Sequence, residues 1–177
     1  PLLATDDYGK SKVLAEKEVK IWCDKLGVKY CILRLPLVVG TNPPGNLKSM
    51  IIGIKNNYYF NINGGGSRRS MVMAEDVAKI IIKAADVGGI YNLTDSYHPS
   101  YRELSYHICR LLDSKLVLNM PFFMAWILAK IGDLFGKYLR FNSATLNKLT
   151  SSLTFDDLNA KVKLEWSPSK VLENWKI

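Results

Sequence analysis

The fold class is decided by one stretch of the chain, Lys29-Tyr30-Cys31-Ile32-Leu33-Arg34-Leu35. It is a short apolar run rich in strand-forming residues, and Pro36 and then Gly40 close it, as expected for a buried parallel strand. Ahead of it, apolar residues recur at helical spacing until Gly27, the residue type favoured just past a helix end. A helix followed by a strand predicts an α/β architecture.

Downstream of this unit the sequence Thr-Asn-Pro-Pro-Gly at 41–45 is typical of a loop and predicts a domain boundary. A capping box, Ser100 with Glu103, predicts the start of a further helix. The spacing of apolar residues and the residues that end helices and strands predict helices over 46–54, 74–85, 101–112 and 168–175. Ser167 and Pro168 are expected to begin the last of these helices. The same signals predict strands over 58–62 and 90–93.

The charge balance indicates the kind of partner. The chain has 24 Lys and Arg against 16 Asp and Glu, a formal charge of +8, which favours anionic partners. No aromatic-rich basic repeat, zinc-ligand spacing or helix-turn-helix pattern accompanies that charge, so we expect no nucleic acid as a partner. A phosphorylated small molecule fits the composition better.

Cysteine and histidine usage points to an intracellular protein without a metal site. Cys23, Cys31 and Cys109 have no C-x-x-C spacing and lie in apolar stretches, which predicts reduced, buried thiols in a cytoplasmic protein. The first residues lack the features of a signal peptide. His98 and His107 have no set of metal-ligating neighbours, so we expect both to be structural and no metal to be bound.

Residues 120–135 form a strongly apolar stretch that Lys130 and Asp133 interrupt. It is shorter than the ~20 residues that span a bilayer, so no transmembrane segment is expected. The pattern predicts an amphipathic helix packed on its own domain. Contact with a membrane surface or with a partner is the alternative.

The chemistry centres on Tyr8-Gly9-Lys10-Ser11-Lys12 at the start of the first helix. A spacing of four puts Tyr8 and Lys12 on one helical face. A tyrosine beside an ammonium group suits proton transfer, because the positive charge stabilises the phenolate. Spacing alone equally fits an exposed aromatic and a solvated charge, so the order of the following segments matters.

Three ordered segments carry a family resemblance: 8–12, then Leu-Arg-Leu-Pro-Leu-Val-Val-Gly at 33–40, then 64–78, where Arg69 precedes Asp76-Val77-Ala78. Together they resemble the extended short-chain dehydrogenase/reductase family of NAD-dependent nucleotide-sugar epimerases and dehydratases. The sequence departs from the family pattern at Met71, where an aromatic residue is usual, and at Ala74. Residues 148–168 resemble the terminus of members from polysaccharide pathways.

The resemblance implies catalytic and cofactor roles at the first two segments. Tyr8 would be the acid/base acting on a sugar hydroxyl, and Lys12 would hydrogen-bond the nicotinamide ribose of NAD or NADP. Pro36, after a parallel strand, would lie against the nicotinamide, as expected for ligands at the carboxyl ends of strands. A purely structural, strand-ending proline is the alternative for Pro36.

The resemblance also implies substrate contacts. Arg69 would bind the diphosphate of a UDP-sugar or similar nucleotide-sugar, for which a guanidinium fork is suited. Asn46 would lie near the diphosphate or sugar, with a loop cap as the alternative, and Phe60 near the base, with a core aromatic as the alternative. Arg68 is expected to be a solvated charge, and the glycines at 64–66 to form a turn rather than a dinucleotide fingerprint.

For the fold, the resemblance implies a partial Rossmann-like parallel sheet with a smaller, mostly helical C-terminal substrate domain. Residues 1–45, with 70–95 returning to them, would belong to the dinucleotide-binding domain, and 46–177 mostly to the substrate domain. No glycine-rich motif precedes Tyr8. We therefore expect a truncated chain that is inactive alone, and a homo-oligomer that covers the exposed strand edges.

For function, the resemblance implies a UDP-sugar 4-epimerase of cell-surface polysaccharide biosynthesis. Leu37 stands where family epimerases often carry Asn. An NADPH-dependent 4-keto-sugar reductase and a non-catalytic binding module of the same fold are the alternatives.

Overall fold

The computed structural model describes residues 7–136 and 141–176. Its helices are α1 (Asp7–Leu26), α2 (Gly45–Lys55), α3 (Ala74–Val87), α4 (Tyr101–Leu111), α5 (Phe122–Phe135), α6 (Ser143–Thr150), α7 (Leu158–Leu164) and α8 (Val171–Asn174). Its strands are β1 (Cys31–Arg34), β2 (Leu37–Val39), β3 (Phe60–Ile62), β4 (Met71–Met73), β5 (Gly89–Asn92) and β6 (Leu118–Met120).

The strands form parallel pairs, β1 with β5, β2 with β4 and β3 with β6. The Leu93 N–H donates to the Arg34 carbonyl at 3.2 Å and continues the β1–β5 pairing. The Asp95 N–H donates to the Met71 carbonyl at 2.8 Å and connects the chain after β5 to β4. Parallel strands need crossover connections, and helices α2 and α3 lie in them. The predicted α/β architecture is confirmed.

Several local predictions need correction. The segment around β1 is half-buried rather than buried, because β5 is its one strand neighbour among the described residues. Strands β2, β4 and β6 were not predicted, since three residues are too few to show an alternating pattern. The last helix is one turn, beginning after Lys170, because the Ser169 N–H is bonded to Asp76 and residues 168–170 do not join the helix.

Two of the three apolar clusters in the described part of the chain hold most of the strands and helices together. One packs α2 and α4 against β2 and β4, and includes Leu47, Ile108 and Trp175. The other lies beneath α3, α7 and β5, and includes Val77 and Leu164. Since each cluster combines residues from the first and the second half of the chain, neither half can complete its core alone.

Buried carboxylates fasten the C-terminal segment to this core. Asp95 accepts a hydrogen bond from the Val171 N–H at 2.9 Å, and Asp76 accepts one from the Ser169 N–H at 2.7 Å. Burial raises the pKa of Asp95 above its ordinary value. Burial also acts on Asp76, but the Ser169 and Lys79 donors outweigh it and lower that pKa. The C-terminal segment is thus fixed by charge-assisted hydrogen bonds that its backbone N–H groups donate to carboxylates of the strand-helix units.

Replacing Asp95 by alanine tests this fastening. The Asp95→Ala change leaves the buried Val171 N–H without its acceptor, so we expect a loss of about 1–3 kcal/mol in the free energy of unfolding. Urea denaturation followed by circular dichroism measures it. Asp24→Ala, at an exposed position on α1, is the control and should change stability by less than about 0.5 kcal/mol. Equal effects of the two substitutions would show that the Asp95 bond adds nothing.

Helix α5, which begins at Phe122, confirms a helix in the predicted stretch 120–135 but corrects its packing. Its buried residues are the small ones, Ala125, Ala129 and Gly132, and they lie against α6 and its flanks. A Cβ atom at Gly132 would overlap the Phe141 carbonyl oxygen, so the backbones need a glycine there. The large apolar side chains of α5 point outward instead. Among the described helices, none is long and apolar enough to cross a membrane.

Candidate functional site

Tyr8 and Lys12 share the first turns of α1. The Lys12 ammonium nitrogen lies 5.2 Å from the centre of the Tyr8 ring, and the predicted shared face is present. Tyr8 is 72% exposed and Lys12 is exposed as well. A phenol and an ammonium group at this separation, open to solvent, are accessible to a ligand from outside the helix.

A bidentate ion pair anchors this face to the sheet. Glu16, one turn beyond Lys12, accepts hydrogen bonds from Arg34 at 2.9 Å and 2.7 Å, and Arg34 is the last residue of β1. The Arg34 guanidinium lowers the pKa of Glu16 below its ordinary value. The pair therefore places the Lys12 side of α1 next to the carboxyl end of β1, where parallel α/β folds hold their ligands.

Pro36 lies half-buried in the two-residue step from β1 to β2. Directly after it, the Leu37 N–H donates to the Ser70 carbonyl at 3.3 Å, as β2 pairs with β4. Pro36 is thus next to the segment that carries Arg69. The predicted cofactor residue Pro36 and the predicted substrate residue Arg69 therefore each adjoin one of the two residues that this bond joins.

Arg69 is bound by the protein itself. Its Nε donates to the Tyr101 hydroxyl at 3.2 Å, Nη1 to the Ser151 carbonyl at 2.6 Å, and Nη2 to the Lys148 carbonyl. The guanidinium also lies 5.4 Å from the centre of the Tyr101 ring. A diphosphate would have to take over the bonds to the two carbonyls, which link Arg69 to the end of α6.

Arg68 corrects an expectation. It is exposed, as predicted, but its guanidinium donates to the His98 carbonyl at 2.8 Å and lies 3.9 Å from Glu103. The adjoining Tyr97 hydroxyl and Ser100 donors hold the pKa of Glu103 at about 2. Arg68 is therefore part of a polar cluster at the start of α4 and is not simply a solvated charge.

Phe60 lines a cleft of about 290 Å³ together with Tyr59, Lys115 and Leu118 of β6. It is 39% exposed, so it is not a core aromatic. Phe60 also borders a smaller depression with Tyr101 and Leu149. Tyr101 thus contacts Arg69 and lines the same depression as Phe60. The Tyr101 ring therefore connects these two predicted substrate residues.

Asn46 is exposed in the first turn of α2. The N-cap residue of α2 is Pro44, and no side chain caps the helix there. Asn46 therefore does not act as a loop cap, which was the structural alternative to a substrate contact. The first turn of α2 contains no acidic residue. Its positive helix-dipole end is therefore compatible with a nearby anion.

The two histidines occupy structural positions. His98 Nδ1 lies 3.1 Å from Ser70 Oγ, and His107 is buried and stacked on Trp175 with ring centres 5.9 Å apart. Burial, aided by Arg110, lowers the pKa of His107. Within residues 7–136 and 141–176, no cluster of His, Cys, Asp or Glu could hold a metal ion, and Cys23, Cys31 and Cys109 are free thiols.

Comparison with known protein families matches residues 1–94, more than half of the 177 residues, to the NAD dependent epimerase/dehydratase family. The chain belongs to this family. The matched segment includes the Tyr8–Lys12 face, the Pro36 junction, and Asp76 of the Asp-Val-Ala motif. In this member of the epimerase/dehydratase family the motif aspartate has a structural task, because it binds the Ser169 N–H of the C-terminal segment.

Known relatives agree with this assignment. The chain is 25% identical over 173 residues to a UDP-glucose 4-epimerase of Vibrio cholerae, covering 95% of this chain and 51% of that protein. Among solved structures, a Thermotoga maritima UDP-glucose 4-epimerase has a TM-score of 0.64 at 20% identity, covering 94% of this chain and 50% of that one. A Bacillus cereus UDP-glucuronic acid 4-epimerase has a TM-score of 0.68 at 14% identity, covering 95% and 49%.

The structural similarities establish the fold, which is that of the epimerase/dehydratase family. The chain spans about half the length of each of these relatives.

The sequence patterns did not identify three residues that build the site. Tyr101 is the residue that follows the Ser100 cap, and its ring faces Arg69. Glu16 and Arg34 form the ion pair that anchors α1. Glu16 follows Lys12 by four residues, so helical spacing indicates its face, but its partner on β1 is set by tertiary packing.

A Glu16→Gln substitution tests the anchoring of α1. Since Arg34 lowers the pKa of Glu16, the pair stabilises the folded chain above the ordinary value of 4.5 and is lost as pH falls through the lower folded value. We expect Glu16→Gln to lower the free energy of unfolding by about 1–2 kcal/mol at pH 7. The difference from the unsubstituted chain should shrink as pH falls below 4.5.

Urea unfolding curves from pH 3 to pH 7 measure this difference, with Glu18→Gln at an exposed position of the same helix as the control. A difference that is the same at every pH would refute the ion-pair explanation.

Proposed function

We propose that this chain supplies the acid/base and substrate-contacting part of an NAD(P)-dependent nucleotide-sugar epimerase, with a UDP-sugar 4-epimerase as the specific activity. The observation that carries the proposal is the position of the Tyr8–Lys12 face. The Glu16–Arg34 pair holds it beside the carboxyl end of β1, and Pro36 follows there next to the Arg69 segment.

Tyr8 is the acid/base in this proposal. In its phenolate form the exposed Tyr8 side chain takes the proton of the substrate's sugar hydroxyl, and the phenol so formed returns that proton when the ring carbon is reduced again. Lys12, 5.2 Å from the Tyr8 ring centre, stabilises the phenolate and is a donor for a ribose hydroxyl. Pro36 presents an apolar surface to the nicotinamide ring. A bound nicotinamide supplies the hydride acceptor and donor.

The residues present fit such a cofactor. Tyr8 and Lys12 are both exposed, and Pro36 follows the end of the strand to which Glu16 anchors α1, where α/β folds bind nucleotides. We propose NAD or NADP for this position without a preference between them.

The substrate residues form the second part of the proposal. Phe60 and the cleft beside it provide an aromatic surface for a base, and Lys115 in the same cleft adds a cation. Arg69 would bind the diphosphate by exchanging its bonds to the Ser151 and Lys148 carbonyls for phosphate oxygens. Asn46 at the amino end of α2 would assist. The UDP-sugar names of the relatives support this ligand class.

Further parts of the proposal concern context. The resemblance of residues 148–168 to polysaccharide-pathway members supports a place in cell-surface polysaccharide biosynthesis, and three free thiols support a reducing compartment such as the cytoplasm.

We propose the domain division 1–45 with 70–95, and 46–177. The exposed apolar residues of α1 favour a homo-oligomer, namely Leu14, Val19, Ile21, Trp22 and Leu26.

Two alternatives share these residues. An NADPH-dependent 4-keto-sugar reductase would use Tyr8 as the proton donor only, and Leu37 is compatible with both reactions. A non-catalytic binding module would retain the Phe60–Arg69 region and need no function at Tyr8. The Tyr8 hydroxyl therefore discriminates enzyme from binding module.

Removing the Tyr8 hydroxyl tests catalysis. In the gene product that contains this chain, we expect Tyr8→Phe to lower kcat with NAD and UDP-glucose or UDP-N-acetylglucosamine by about 100-fold or more, because the acid/base is lost. Product is followed by NMR, which also separates epimerised from reduced sugar. Tyr58→Phe, at another exposed tyrosine, should leave kcat unchanged. Full turnover by Tyr8→Phe would refute the assigned role.

Replacing Arg69 tests substrate binding. We expect Arg69→Ala to weaken UDP binding by about 10- to 100-fold in calorimetry, since a guanidinium–phosphate contact contributes about 1.5–3 kcal/mol. Arg69→Lys keeps the charge but not the fork, so it should recover only part of that affinity. Arg110→Ala, exposed on α4, is the control. Unchanged UDP affinity in Arg69→Ala would contradict the proposed contact.

A further inference from the structure

Helix α5 presents a large apolar surface to solvent. We call it the α5 face and define it by nine side chains that are 42–83% exposed, Phe122, Phe123, Met124, Trp126, Ile127, Leu128, Ile131, Leu134 and Phe135. Soluble surfaces rarely display so continuous a set of large apolar residues unless something covers it. Neither the family assignment nor the proposed catalytic role accounts for this face.

The outward orientation of the α5 face is fixed by the packing of the opposite side. Ala125 and Ala129 are fully buried with Leu146 of α6, and Gly132 meets the Phe141 backbone. Asp133 accepts hydrogen bonds from the Ser143 N–H at 2.9 Å and from the Ser143 hydroxyl at 2.6 Å. Rotation of α5 to bury its large side chains would break these contacts and force bulky groups against a backbone that has room only for glycine.

The charge of the sequence that contains and flanks α5 indicates what covers the face. Residues 114–150 contain five cationic residues, Lys115, Lys130, Lys137, Arg140 and Lys148, and one acidic residue, Asp133. The Asp133 carboxylate is already engaged by Ser143 and lies 3.7 Å from Lys130. The whole chain has a charge of +8. A second copy would bring the same positive charge to the contact, whereas an anionic lipid surface is complementary to it.

The dimensions of α5 define how it would meet a bilayer. Its 14 residues extend about 21 Å at 1.5 Å per residue, short of the hydrocarbon core of about 30 Å. The helix can therefore lie along the interface but not cross it. The Lys130 ammonium is 6.0 Å from the centre of the Trp126 ring, and a tryptophan beside a long cationic side chain is the combination found at lipid headgroups.

From the α5 face and its basic surroundings, we propose that this protein docks on the surface of an anionic lipid bilayer, with α5 lying in the headgroup region. The apolar side chains enter the outer acyl layer, and the Lys130 ammonium contacts phosphate groups. This interaction does not depend on the proposed reaction, because none of the residues assigned to catalysis or nucleotide-sugar binding belongs to the α5 face.

Vesicle binding of the purified chain tests the proposal. Co-sedimentation is measured with vesicles of phosphatidylcholine alone and of phosphatidylcholine with 30% phosphatidylglycerol. We expect binding to the anionic vesicles that weakens at high salt. The double variant Phe123→Ser with Leu134→Ser should reduce the partition coefficient at least tenfold, since both side chains are more than 60% exposed and their loss removes apolar contact without opening the core.

The matched control is the double variant Ile82→Ser with Val162→Ser, which removes two equally exposed apolar side chains on α3 and α7. It should bind anionic vesicles like the unsubstituted chain. Circular dichroism checks that both double variants are folded.

Three results would overturn the proposal. The first is no binding to either vesicle type. The second is vesicle binding that the Phe123 and Leu134 substitutions do not reduce, which would indicate charge attraction without insertion. The third is a dimer in analytical ultracentrifugation that the same substitutions dissociate while vesicles bind nothing, which would assign the α5 face to a second copy.

Discussion

The pairing of the short parallel strands is the constraint on which the candidate site depends. Strands β2 and β4 lie against the core, so their backbone groups must find partners there. Pairing them in register, Leu37 with Met71, brings Pro36 beside Ser70 and hence beside Arg69. Residues separated by some thirty positions in the chain meet at one end of a strand pair as a consequence.

Two sets of contacts made by carboxylates then connect the strands to the rest of the chain. The Arg34–Glu16 pair couples the end of β1 to α1, and Asp76 and Asp95 couple the strand-helix units to the C-terminal segment. Both use carboxylates that are largely withdrawn from solvent, where a charged hydrogen bond is strong and a missing partner is costly. Family motif residues therefore do not all serve chemistry, since Asp76 serves assembly.

In helix α5, by contrast, the small side chains are buried and the large apolar ones are exposed. Small residues of α5 make the close contact with α6, and its large apolar side chains are consequently exposed to solvent. A helix this apolar is normally found in a core or at a lipid surface. Its position in a basic part of the chain distinguishes it from the apolar residues of α1, which lie on the helix that carries Tyr8 and Lys12 and fit protein association.

The sequence by itself determined the features that depend on neighbours along the chain. The α/β class, the helix from Asp7 to Leu26, the capping box at Ser100 and the shared face of Tyr8 and Lys12 all follow from local periodicity and capping chemistry. The tertiary structure alone decided which elements meet. The three-residue strands, the contact of Arg69 with Tyr101 and the Glu16–Arg34 pair join distant segments, and no local pattern encodes them. The outward face of α5 was decided in the same way, because periodicity shows where apolar residues lie on a helix but not which side its neighbours will cover.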